Sequence, residues 1–150
     1  MIEEKIGEAI GLEKAAQKAV EELDSMGLLK PEHMKKLSKM KEEASTQEQQ
    51  MEELVQQLVE SDDLDSEKIE STATETAEKC SKIMETYLGE DPDTQEALEF
   101  LCLAEGGEVT HYEVLESIAK DVTNKKFGTT VRAILKEEQG HLAKSNAASG

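Results

Sequence analysis

Two stretches of the sequence place a carboxylate and an imidazole one helical turn apart. They are Glu108 with His111 in "EGGEVTHYE" and Glu138 with His141 in "ILKEEQGHLA". Spacing of i, i+3 puts both members of a pair on one face of a helix. In each case that face is the apolar one: Val131 and Ile134 mark it around the second pair, and Leu101, Ala104, Leu115, Ile118 and Val122 around the first. Two more carboxylates fall on inward lines, Glu13 among Ile6, Ile10 and Val20, and Glu48 along Leu37, Ala44, Met51 and Val55. Four unpaired buried carboxylates would cost far more than a domain's net stability of roughly 5–15 kcal/mol. They must be protonated, hydrated or bound to cations.

Cations suit the residue types. Hard carboxylates match iron or manganese and can bridge two ions, while one neutral imidazole per ion adds affinity without adding charge. Four glutamates and two histidines make the ligand set of a dinuclear carboxylate centre in a helical bundle. The expected metal ligands are Glu13, Glu48, Glu108, His111, Glu138 and His141, holding two ions of Fe, or alternatively Mn, per chain. Glu105 can exchange with Glu108 as a ligand or stand behind it, and Tyr112 is an outer neighbour. The competing reading satisfies the same carboxylates with partly hydrated ion pairs to Lys and Arg. His33 reads as an exposed first-turn residue, and Met51 and Leu54 read as core. "DDLDSE" lacks the glycine and terminal glutamate of a calcium loop.

The elements that must position these groups are helices, because the periodicity is helical throughout and no strand pattern appears. A first helix is expected from about Ile2 to Met26, stopped by Gly27 in a left-handed conformation. A second opens at Pro31, where a missing N–H costs nothing, and ends near Glu60. "SDDLDSEK" offers N-caps to a third, from about Asp65 to Leu88, with Ile69, Ala73, Ala77, Cys80, Ile83 and Tyr87 on its apolar side. Asp91 and Pro92 are read as cap and first turn of a long helix from about Asp93 to Val122. "TNKKFGTT" breaks the pattern, and a last helix runs from about Thr129 to Lys144, followed by a frayed "SNAASG" tail. No connection is long enough to divide residues 1–150 into more than one domain. The economical architecture is an all-α, antiparallel four-helix bundle with a shorter crossover helix between its second and third principal members.

Composition restricts the partners. Hydrophobic residues make up 37% and charged residues 34%, and the formal net charge is −17. Such a surface repels nucleic acid and anionic membranes and concentrates divalent cations. Cys80 and Cys102 have no metal-type spacing and read as reduced, buried thiols. "MIEEKIGEAI" is unlike a secretory or transit sequence, and no apolar run approaches the roughly 18 residues of a membrane span. A soluble cytoplasmic protein is expected.

On "EVTHYEVLESIAKDV", "ILKEEQGHL", "EDPDTQEALEFLCLAE" and "EKCSKIME", the chain resembles the ferritin-like superfamily, and within it the YciE/YciF-type stress-associated proteins. The resemblance covers most of the chain and is specific in its second half. It implies a ferritin-like bundle, a di-iron or di-manganese centre, and redox handling of oxygen, peroxide or iron under stress, with a homodimer as the expected assembly. One departure stands out: the second helix reads "EQQM", with Met51 where the family pattern has a histidine, and the additional Glu-x-x-His lies on the third principal helix. The alternative function is a non-catalytic bundle that acts by dimerisation or partner binding, its metal site degenerate. Cage-forming iron storage is a third option, weakened by the lack of an extra C-terminal helix.

Overall fold

A computed structural model describes the backbone of residues 2–149 and the side chains of residues 2–140. Five helices follow in order: α1 (Ile2–Ser25), α2 (Pro31–Ser61), α3 (Ser66–Leu88), α4 (Thr94–Ile118) and α5 (Lys126–Ser149), with a 3-10 turn at Ala119–Asp121 before α5. Among the described residues there is no strand, and no helix is long and apolar enough to cross a membrane.

The ends have local causes. Gly27 and Gly89 adopt φ of +67° and +71° after α1 and α3, a region that costs glycine nothing. Asp65 caps α3 by accepting from the amides of Glu67 and Lys68 at 3.1 and 3.2 Å. The cap of α4 is Asp93, not Asp91: its carboxylate accepts from the Glu96 amide at 2.8 Å, so Pro92 stays outside the helix. α4 stops at Ile118 rather than Val122, where the backbone is extended while the side chain stays buried. α5 begins at Lys126, three residues earlier than the sequence suggests. Asn124 accepts from the Lys126 amide at 3.0 Å, and Phe127, inside the expected break, is fully buried. The "SNAASG" segment is helical as far as Ser149.

Residue pairings give the directions. Lys14–Glu48 and Lys41–Glu21 set α2 antiparallel to α1. His111 bonded to the Lys5 carbonyl, and Thr94 donating to the Leu28 carbonyl, set α4 antiparallel to α1. Gln47–Glu137 and Asp62–Thr123 set α5 antiparallel to α2. α3 instead runs parallel to α1 and packs mainly along it. It is no short connector, with 23 residues against 24 in α1. The two helices approach at glycines. A Cβ on Gly7 would lie 2.6 Å from the Ile69 carbonyl oxygen and 2.7 Å from Thr72 Cβ; one on Gly11 would lie 2.6 Å from both the Ala73 carbonyl oxygen and Thr76 Cβ. No side chain fits in either place.

Among the described residues the apolar interior is in two clusters. One gathers Ile6, Ile10, Met51, Leu58, Leu115 and Phe127; the other gathers Val20, Leu23, Leu37, Leu88 and Phe100. Along α1, α2 and α4, buried polar residues separate the two: Glu13 on α1, Gln47 on α2, Glu105 and Glu108 on α4. On α5, Glu138 follows the last residue of the first cluster, Leu135, by one turn.

Candidate metal centre

Three helices converge their carboxylates in that polar layer. Glu13, Glu108 and Glu138 are 0%, 5% and 3% exposed, and a carboxylate oxygen from each lies within 4.8 Å of the others. α4 and α5 are antiparallel neighbours around a short turn, so Glu108 and Glu138 reach the same depth, and α1 supplies Glu13 across the bundle.

Electrostatics make the layer expensive when empty of cations. Burial pushes the Glu13 and Glu108 carboxyls well above the usual carboxylate range, and each is pushed further by its neighbours' negative charge. Tyr112, fully buried, donates to Glu13 Oε2 at 3.0 Å. Burial and then the charge of Glu13 raise that phenol too. Glu13 Oε1 is enclosed and receives no hydrogen bond. None of the ion pairs among the described residues includes Glu13 or Glu108. A carboxyl with one enclosed oxygen, whose side-chain partners are Tyr112 and the Glu108 carboxyl, in an all-oxygen cluster, fits a hard divalent cation.

The other expected ligands lie differently. Glu48 is half-buried and its carboxylate turns to α1, accepting from Lys14 Nζ at 2.8 Å and Gln17 Nε2 at 2.7 Å. Burial raises this group, but its hydrogen bonds to Glu52, Lys14 and Gln17 outweigh that and hold it below its ordinary value. His111 is half-buried, and its Nε2 donates to the Lys5 carbonyl oxygen at 2.8 Å. A carbonyl only accepts, so Nε2 carries the proton. Neither Glu48 nor His111 belongs to the carboxylate group. The His141 side chain lies outside the described residues. Glu105 is buried as well, at 3% exposure, though it too is outside the group of three.

Sequence reasoning missed Gln47. It is 1% exposed, occupies the α2 position of the layer, and donates to Glu137 Oε2 at 3.0 Å. It lies three residues after Ala44 and four before Met51, so the periodicity carried the signal. His33, expected to be exposed, is half-buried with Nδ1 enclosed. Cys80 and Cys102 are half-buried rather than buried, and burial raises the Cys80 thiol. On α3, Ile83 and Tyr87 were expected inside. They are 60% and 39% exposed, while Met84 and Leu88 turn into the cluster with Ala97, Phe100 and Leu101 of α4, and Tyr87 meets α4 at the surface, its ring 5.8 Å from that of Phe100.

Comparison with known proteins finds no match to the chain: neither a family model, nor a curated relative, nor a solved structure.

Proposed function

We propose that the chain is a ferritin-like carboxylate metalloprotein that binds divalent iron or manganese and handles oxygen, peroxide or iron in redox chemistry. The observation that supports the reading is the convergence of Glu13, Glu108 and Glu138, three buried carboxylates from three helices within 4.8 Å. They hold a first ion. The other expected ligands, Glu48, His111 and His141, would complete a dinuclear centre, for which Glu48 must first leave Lys14 and Gln17 and His111 the Lys5 carbonyl oxygen. A bound redox metal supplies one-electron chemistry. The chain supplies an anionic, water-poor cage, and Tyr112 fixes one oxygen of Glu13.

A second reading has its own support. Lys14 and Gln17 satisfy Glu48 without a metal, and Met51 fills its position as fully buried core. On that reading the bundle is non-catalytic and acts through dimerisation or partner binding.

Metal analysis separates the two. The stripped protein is dosed with Fe²⁺ or Mn²⁺, and both bound metal and thermal stability are measured. At a hundredfold excess over Kd, a bound ion stabilises the fold by about 2.7 kcal/mol. Glu13→Ala, Glu108→Ala and Glu138→Ala should each abolish that gain, and their losses should be strongly non-additive. His33→Ala should retain it. Unchanged uptake in all three glutamate variants sinks the first reading.

A further inference from the structure

Above the carboxylate layer, α1, α3 and α4 leave a cavity of about 210 Å³ between them. Ala15, Ala16 and Ala19 form its α1 side, and Glu108 lies at one end. Ile83 and Leu103, each 60% exposed, stand at the outer lip. Among the described residues, Glu108 is the sole charged one in the lining, on a chain with 34 acidic and 17 basic residues. The cavity thus has a nearly uncharged lining that borders the carboxylate layer at Glu108.

A second observation concerns Gly107, which lines the same cavity. A Cβ added there would meet nothing within 4 Å. Glycine inside a helix costs about 0.5–1 kcal/mol relative to alanine, and here no neighbour requires it. Its effect is to leave one wall of the cavity without a side chain.

Size decides the occupant. An apolar cavity of about 150 Å³ stays dry and takes benzene. A volume of about 210 Å³ therefore suits a molecule somewhat larger than benzene and is too small for a partner's helix.

We propose that this cavity is a binding pocket for a small, uncharged, mostly apolar molecule. Binding itself needs no ion, so the pocket goes beyond the metal reading.

The test titrates the metal-free full chain with n-butylbenzene, n-hexanol and hexanoate while following amide NMR shifts. The first two should saturate at one molecule per chain, with shifts centred on Ala15, Ala16 and Gly107. Hexanoate should bind about tenfold more weakly or worse, because an apolar lining does not repay the solvation its charge loses. Gly107→Leu, and independently Ala16→Leu, should weaken n-butylbenzene binding by about tenfold or more with circular dichroism unchanged. Absence of saturation, shifts centred elsewhere, or equal affinity in both filled variants overturns the pocket. So does a doubled solution mass with these amides shifting as protein concentration rises, because a second copy then covers the groove. Metal uptake is scored separately. Lost probe binding with intact uptake removes the pocket alone, and the converse removes the metal reading alone.

Discussion

Below Glu13, α1 lies so close to α3 that Gly7 and Gly11 have no room for a Cβ, whereas above it Ala15, Ala16 and Ala19 face a cavity. Both halves of the helix present small residues, with opposite results. In the lower half smallness admits a neighbouring backbone; in the upper half no neighbour moves in. The difference shows that side-chain volume alone does not decide packing. What decides it is whether the opposing helix is in register to approach, as the Thr72–Thr76 turn of α3 is and the Cys80–Tyr87 segment is not. Glu13 marks the change between the two regimes.

The largest expected effect tests the closed half. Gly11→Leu drives a side chain into the Ala73 carbonyl and Thr76 and should destabilise the fold by about 3 kcal/mol. Urea unfolding would read this as a lower midpoint at unchanged slope. A loss below about 0.5 kcal/mol would mean that α3 can move away, and the contrast between the halves would dissolve.

Next in size is the pH response of the layer at the boundary. Glu13 and Glu108 keep their protons in the fold above the pH, near 4.3, at which unfolded glutamates release theirs. The stability tied to those protons is complete below that value and is lost as pH rises through the raised native range. The metal-free protein should therefore weaken from about pH 4 towards neutrality, by at most about 1.4 kcal/mol per pH unit per group. Glu108→Gln should flatten the slope. Added Fe²⁺ or Mn²⁺ should reverse it, since ligating carboxylates must be ionised. Melting curves between pH 4 and 8 check all three.

The smallest effect belongs to the open half. Gly107→Leu, placed in free space, should stabilise the fold by about 0.5–1 kcal/mol through helix propensity alone. The same substitution at Gly11 and Gly107 should thus change stability with opposite sign. Destabilisation at both would show that the upper groove closes in solution.

Much of the layer was legible because it rests on single-helix periodicity. Glu13, Glu108 and Glu138 each sit on an apolar stripe, and the short turn before α5 places the latter two at one depth. The misreadings came where contacts between helices decide. Glu48 and Gln47 fit the α2 stripe almost equally well; Lys14 and Gln17, on another helix, draw Glu48 aside. Ile83 and Tyr87 share the α3 stripe with buried residues, but Met84 and Leu88 turn into the core with residues of α1 and α4 and leave them at the lip of the cavity. Phe127 lay among residues that read as a break, because one aromatic has no periodicity of its own. Gly7 and Gly11 carried a four-residue spacing whose meaning depends on α3, a partner no local pattern names.

The glycine seam also bears on the order of assembly. It joins Gly7 to Thr72 and Gly11 to Thr76, each pair 65 positions apart in the chain. The α1–α2 and α4–α5 hairpins close across short turns, with far smaller loss of chain entropy. That difference predicts early local hairpins and later docking of α3 onto α1. A contact made that late leaves the refolding rate nearly untouched and acts on the lifetime of the folded molecule. A lesion at Gly11 should make the protein come apart sooner while it still folds at nearly its normal speed.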